Sequence, residues 1–405
     1  MRTDSRGGAP GCLRWRRGYV SLAEIIGKGD DLVGLVLSGS GVFTPAQSIS
    51  NDELVASFNE FVRHFNVTHA RAIESGSVAP LQESSSDFIV KASGIRNRYV
   101  LDRTGILDPE IMCPRLPERP NEQLSVMAEM AVGAARDALA DAERKPADID
   151  GVIVSCANLQ RAYPAMAIEV QGALGITGFG FDMNVGCSSA TYAIQVASGL
   201  IDTGGARAIL VCNPEILTAH VNFRDRDSHF IFGDAASAFI VERKDGARGA
   251  NSWEIVSTKL KSQFSNNIRN NFGFLNRTWP DGVGTRDKLF VQNGRKVFKE
   301  VVPLVSAFVR EHLAENGLSS AALKRMWLHQ ANINMNQLIA HKVLGREATD
   351  EEAPTILDQY ANTSSAGAMI AFNKRSADLS PGDHALLCTF GAGYSAGSVI
   401  LRKLG

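Results

Sequence analysis

"DMNVGCSSATYAIQVASGLIDTGG", residues 182–205, decides how the chain is read, because it sets one cysteine between an extended run and a stretch of small and apolar residues. Phe181–Val185 predicts a strand end and Gly186 allows a sharp turn. Ala190, Tyr192, Ala193, Ile194, Val196, Ala197, Leu200 and Ile201 then spread around most of a helical circumference, which predicts a helix buried on nearly all sides. Cys187 falls in the first turn of that helix, where free backbone N–H groups and the positive end of the dipole favour a thiolate over a thiol. Cys187 is therefore a candidate nucleophile, although a cysteine in such company also serves as an ordinary small core residue.

Self-similarity ties this stretch to a second one. "CAN" at 156–158 returns as "QAN" at 330–332, "DMNVGCSSA" at 182–190 as "DQYANTSSA" at 358–366, and the strand-like run ending at Cys212 as one containing Cys388. The offsets, 174 to 176 residues, keep one order along the chain. The chain divides into two halves of one architecture, 32–245 carrying Cys187 and 246–405 carrying His329 and Asn362. Each half alternates strand-like runs with helical patterns, which predicts an α/β fold of mostly parallel strands. Ligands gather at the carboxyl ends of such strands. Cys187, His329, Asn362 and the glycine turn "FGAGYSAG" (390–397) each follow a strand end, so they are expected to converge.

Composition narrows the classes. The 405 residues are 44% hydrophobic, with a net charge of −1 and a pI near 6.7, which argues against nucleic acid or an anionic membrane as partner. No apolar run approaches the roughly 20 residues of a membrane span. Cysteines at 12, 113, 156, 187, 212 and 388 form no C-x-x-C pair and no metal-ligand spacing, so no metal is expected and a reducing cytoplasm suits them. Residues 1–31 combine five arginines with a short apolar run, "YVSLAEIIG", interrupted by a glutamate. They read as an extension outside the fold or a translation-start artefact rather than a signal peptide.

A thiolate, an imidazole and a carboxamide suit two chemistries. In a papain-like hydrolase the histidine activates the cysteine and the asparagine orients the ring, but the C-G-[SA]-C-[WY] context of that class is missing around Cys187. In carbon–carbon bond formation the thiolate captures an acyl group, and two neutral donors stabilise the enolate left when a malonyl thioester loses CO₂.

The motifs "GCSSATYAIQ", "FIFGDAASAFIV" (230–241), "LHQANIN" (328–334), "YANTSSAGAMIAF" (360–372) and "TFGAGYSAGSVIL" (389–401) occur in this order. On them the sequence resembles the 3-oxoacyl-(acyl-carrier-protein) synthases of type III, condensing enzymes of the thiolase fold, over nearly all of residues 33–405. The resemblance implies a thiolase-like fold in α-β-α-β-α layers, an acyl-CoA and a malonyl-acyl-carrier protein as substrates, no cofactor, and a homodimer. It implies that Cys187 takes the acyl group, that His329 and Asn362 bind the malonyl thioester oxygen, and that the N–H groups of Cys187 and Ala392 form the oxyanion hole. Phe390 then packs near the thiol, Phe88, Arg226 and Asn332 contact substrate, and Lys299 docks the carrier protein. On residue types alone, His329 also reads as a buried core histidine, Asn332 as a helix cap and Lys299 as part of a solvated face.

Three positions depart from the family pattern: Phe88 replaces a frequent tryptophan, Ala92 an arginine, and Asn334 an arginine of the docking patch. The segments 52–87 and 101–120 are longer than in a minimal member, and their apolar content predicts a donor longer than acetyl. Other readings with the same residues are a natural-product ketosynthase or acyltransferase joining two acyl chains and, more remotely, a noncatalytic partner subunit.

Overall fold

The computed structural model describes residues 34–270 and 289–405, so the reading of residues 1–31 lies outside the described residues. In the first half, β1 (Leu35–Phe43), β4 (Gly151–Ser155), β5 (Phe179–Met183), β6 (Ala208–Glu215) and β7 (Ala235–Arg243) lie in the order β1-β7-β6-β4-β5. In the second, β8 (Trp253–Ser265), β11 (Leu323–Leu328), β12 (His384–Gly391) and β13 (Gly393–Lys403) lie in the order β8-β13-β12-β11. Strands β1 and β8 join the two sets through the pairs Val36–Glu254 and Leu37–Trp253. Two short ribbons complete the strands: β2 (Gln47–Ser50) with β3 (Asn97–Val100), and β9 (Ile268–Arg269) with β10 (Val291–Gln292).

The halves share pairing directions as well as order. From β1 outward the neighbours run antiparallel, antiparallel, parallel, parallel. From β8 outward they run antiparallel, antiparallel, parallel. The expectation of mostly parallel strands is corrected by this pattern, since parallel pairing is confined to the outer strands. The cause is connectivity: β12 turns directly into β13 through Ala392, and a tight turn can join only antiparallel neighbours.

Alternation of side chains builds the layers. Val152, Val154, Leu210 and Cys212 face the helices 126–141 and 166–174, whereas Ile153, Ile209 and Val211 face the opposite way. In the second half Leu386 and Cys388 pack on the helices 294–315 and 333–344, while Ala385 and Leu387 turn inward. The inward residues of both halves meet on the helices Ser189–Asp202 and Ser365–Lys374. Helices, strands, helices, strands and helices therefore alternate in five layers, as a thiolase-like fold requires. The central helices carry small residues because they are pressed from both sides: a Cβ at Gly397 would come within 2.1 Å of Thr191 Oγ1. No helix among the described residues is long and apolar enough to cross a membrane.

Residues 51–107, which include the longer segment 52–87, join Leu217, Phe223 and Phe230–Phe232 in a separate apolar cluster. Its helix Asn51–Thr68 starts on a capping box of Ser50 and Glu53, and Phe58 stacks on His229 with ring centroids 4.4 Å apart.

Candidate active site

Cys187 sits where the sequence puts it, in a tight turn, Gly186–Ser188, between β5 and the helix Ser189–Asp202. Gly186 takes φ +55°. The turn is pinned on each side: Gly186 N–H donates to Asn184 Oδ1 (3.0 Å), Val185 N–H to Ser189 Oγ (3.0 Å), and Ser188 Oγ to the carbonyl of Ser395 (3.1 Å). The β12–β13 turn closes over the sulfur. A Cβ on Gly391 would lie 2.7 Å from Cys187 Cβ and 3.0 Å from Sγ, so only glycine permits this approach. The backbone N–H groups of Cys187 and Ala392 both reach the sulfur.

The charge state of the thiol departs from the reading of the isolated stretch. Burial pushes Cys187 up to about 11, and the nearby Glu215 carboxyl adds to this, outweighing the opposing influence of the Ser364 hydroxyl and the two N–H groups. Cys187 is therefore a thiol at neutral pH rather than the thiolate that its helix N-terminus favours. Cys212 and Cys388, buried in their strands, are pushed up to about 12 by desolvation.

His329 follows β11, its N–H bonded to the carbonyl of Cys388 (2.8 Å) and its ring edge-on to Phe390 at 5.3 Å. Burial lowers its pKa to about 4, so the imidazole is neutral and acts as an N–H donor. Asn362 is held by backbone pairing, its N–H to Ile231 O (3.0 Å) and its carbonyl accepting from Gly233 N–H (3.2 Å). Its Oδ1 accepts from Ser364 N–H (2.8 Å), while Nδ2 makes no hydrogen bond among the described residues. Cys187, His329, Asn362, Phe390 and Gly391 line one cavity of about 630 Å³. The expected convergence is observed.

At the mouth of this cavity Phe88, on the helix Ser86–Ser93, packs edge-on to Phe230 (5.8 Å). The Arg226 guanidinium lies 4.1 Å from the Phe88 ring centroid, and Arg226 Nε donates to Glu83 O (2.8 Å). Asn332 lines the same cavity, but its amide is already engaged: Oδ1 caps Asn334 N–H (2.9 Å) and Met335 N–H (3.3 Å), and Nδ2 donates to Ala92 O (2.5 Å). Asn334 likewise donates to the backbone of Lys91 and Ala92. Lys299 is exposed on the helix Gly294–Glu315 and does not line the cavity, whereas Arg295, one turn earlier, does.

A second cavity, of about 670 Å³, reaches Cys187 from the other side and is lined by Val185, Leu217, Phe232, Phe264, Phe290 and Tyr394 among others. Asn158 and His220 connect it to a third, of about 500 Å³, which Leu116 and Pro117 of the longer 101–120 segment help to line, together with Leu124 just beyond it. Residues 51–87 line neither cavity at Cys187; they support the Phe230–Phe232 wall from behind.

Two buried residues were missed by the sequence reading. Glu215, the last residue of β6, and Ser364 both interact with the Cys187 sulfur. A glutamate ending the apolar run "AILVCNPE" was the available signal for the first.

A thiol facing two backbone donors, with a neutral imidazole and a carboxamide on the same cavity, fits an acyl-transferring condensing enzyme of the thiolase fold. Comparison with known proteins makes this specific. Residues 181–263 match the 3-oxoacyl-[acyl-carrier-protein] synthase III family model and residues 313–403 its C-terminal counterpart. The beta-ketodecanoyl-[acyl-carrier-protein] synthase of Pseudomonas aeruginosa is 63% identical over 86% of this chain and 99% of its own. The beta-ketoacyl-[acyl-carrier-protein] synthase III of Granulibacter bethesdensis is 29% identical over 91% of the chain and 98% of its own. The solved 3-oxoacyl-[acyl-carrier-protein] synthase III of Aquifex aeolicus superposes with a TM-score of 0.70 at 24% identity, covering 91% of this chain and all of that one. The chain belongs to the 3-oxoacyl-[acyl-carrier-protein] synthase III family, whose members condense an acyl-CoA with malonyl-acyl-carrier protein.

Proposed function

We propose that the chain loads an eight-carbon acyl group from acyl-CoA onto Cys187 and extends it with malonyl-acyl-carrier protein to a ten-carbon 3-oxoacyl product. The observation that carries the residue assignment is the convergence of Cys187, His329 and Asn362 on one cavity, with the N–H groups of Cys187 and Ala392 reaching the sulfur. The acyl carbonyl oxygen takes the two N–H groups, the sulfur bonds to the carbonyl carbon, and the CoA thiolate leaves. The malonyl thioester oxygen then lies between His329 and Asn362 Nδ2. A neutral imidazole is the suitable partner here, because it stabilises the enolate formed on loss of CO₂ without protonating it. The enolate carbon attacks the acyl-cysteine, the carbon–sulfur bond breaks, and Cys187 is free again.

The chain length is supported by the name of the Pseudomonas relative, since a ketodecanoyl product less the two carbons from malonyl requires an octanoyl donor. The second cavity offers apolar room beside the sulfur. At about 0.8 kcal/mol per buried methylene, six methylenes more than acetyl contribute roughly 5 kcal/mol to binding. The Phe88–Arg226 pair suits the stacking and anionic groups of CoA, and Arg295 with Lys299 offers positive charge to an acidic carrier protein. The half-buried edge strand β5, with Tyr163 85% exposed close by in sequence, favours a homodimer that pairs this edge. A reducing cytoplasm keeps the Cys187 thiol free for the reaction.

Intact-protein mass spectrometry after incubation with acetyl-, hexanoyl-, octanoyl- and decanoyl-CoA tests the reading. Octanoyl should load fastest and give the highest kcat/KM, and Cys187→Ala should load nothing. A kcat/KM optimum at acetyl-CoA would reject the chain length, and an acyl group found on Cys156 or Cys212 would reject the nucleophile. Light scattering should return twice the 43.6 kDa chain mass.

A further inference from the structure

Glu215 has no place in the scheme above, yet it is wholly buried at the end of β6, beside the nucleophile. Its Oε1 accepts from Ala157 N–H (2.9 Å), from Ser365 N–H (3.2 Å) and from the Ser365 hydroxyl. Among the described residues Oε2 has no hydrogen-bond partner, and neither does Ser364 Oγ, which is equally buried. The Ser364 hydroxyl lies against both the Cys187 sulfur and the Glu215 carboxyl, without hydrogen-bond geometry to either. No salt bridge accompanies Glu215 among the described residues. Two unpartnered polar atoms next to a reacting sulfur are groups that can find their partners during the reaction.

Acyl loading requires the thiol to lose a proton. We propose that Glu215 is the terminal acceptor of the Cys187 proton, reached through the Ser364 hydroxyl. The inference rests on the acyl-loading reading given above. As Sγ bonds to the acyl carbon and the donor's carbon–sulfur bond breaks, the thiol proton passes to Ser364 Oγ while the Ser364 proton passes to Glu215 Oε2. The neutral Glu215 then returns one proton, through the Ser364 hydroxyl, to the departing donor thiolate. Atoms and charge balance without any further reactant.

Basicity favours this route over the imidazole. Burial holds Glu215 at about 7 but His329 at about 4, so at neutral pH the carboxylate is the stronger base of the two. The groups around Glu215 are consistent with a mobile proton. Its charge raises the thiols of Cys187 and Cys156, and the carboxylate is supported by the N–H of Ser365, at the N-terminus of the helix Ser365–Lys374, and by that of Ala157. Glu215 is thus a positioning and proton-accepting residue that acts through Ser364 rather than by touching the acyl group.

Glu215→Gln, Ser364→Ala and the double variant test the relay by quenched-flow mass spectrometry of octanoyl loading. Each single variant should load about 10²-fold more slowly, the double no more slowly than either single, and Glu215→Gln should lose the rise of loading rate through neutral pH. Alkylation of Cys187 by iodoacetamide supplies the contrast. It consumes preformed thiolate, so removing the neighbouring charge in Glu215→Gln should leave it unchanged or faster. Ser364→Ala keeps all three hydrogen bonds to Oε1 and guards against a folding defect in the glutamine variant. Loading at the wild-type rate in both single variants, or loading and alkylation slowed equally in Glu215→Gln, would overturn the relay. A wild-type chain that no acyl-CoA labels would instead overturn the functional reading on which the relay rests.

Discussion

The two halves place equivalent backbone at the site and fill it with different chemistry. By the alignment of the repeats, Ser155 at the end of β4 corresponds to His329 after β11. Ser155 is buried and donates to Ser189 O (2.9 Å), a structural use, whereas His329 opens onto the cavity. In the second repeat Asn362 stands at the position of Gly186, and Thr363 at that of Cys187. The halves also solve the turn differently: the first takes positive φ at Gly186 (+55°), the second at Ala361 (+56°) and Ser364 (+48°), residues that carry side chains. Backbone of that kind costs about 1–3 kcal/mol per residue. On the proposed function, the first half supplies the nucleophile on relaxed backbone, and the second supplies neutral donors on strained backbone. Duplication fixed where groups could stand, and divergence divided the reaction between them.

If that division is correct, the two half-reactions separate. His329→Ala and Asn362→Ala should each load octanoyl within a few-fold of wild type but lose malonyl-dependent CO₂ release by 10² to 10³-fold, as for an oxyanion donor worth roughly 3–4 kcal/mol. Equal loss of loading and condensation would mean that the imidazole activates the thiol, and the division between halves would fail.

A smaller effect concerns stability. Glu215 binds its proton more tightly in the folded chain (about 7) than in the unfolded one (4.5), so it destabilises the fold progressively as pH rises between these values and fully above pH 7. Glu215→Gln should therefore be more stable than wild type at pH 8, by up to about 3 kcal/mol, with little gain at pH 4.5, as read by urea denaturation. Activity would fall while stability rises. His229, His312 and His329 act in the opposite sense. Each is held neutral down to about 4, so each contributes stability that is lost as pH falls from 6.5 towards 4.

Gly391→Ala tests the contact across the halves, since the new Cβ overlaps Cys187. A cost of about 1–3 kcal/mol in stability and a slowed alkylation of Cys187 are expected. The smallest change is Ala361→Gly, which should stabilise the second half's turn by about 1 kcal/mol if its backbone is strained. An unchanged or lowered Tm would erase the contrast between relaxed and strained turns.

The convergence of Cys187, His329 and Asn362 on one cavity was legible because each lies in a short motif at a strand end, and the repeat aligned those ends. Glu215 was not, because its partners Ala157 and Ser365 are 58 and 150 residues away. Asn332 adds a long-range role to its place on the cavity. Its motif suggested a substrate contact, but its amide caps one helix and ties down another, 240 residues distant.

The sequence by itself determined the duplication, the buried central helices and the turn that carries the nucleophile, because small-residue patterns and glycine positions constrain local backbone directly. Only the tertiary structure decided that the central strands run antiparallel, that Cys187 rests as a thiol, and that a carboxyl group stands behind it. Strand pairing, desolvation and charge proximity all depend on which distant segments pack together, and no local pattern encodes that.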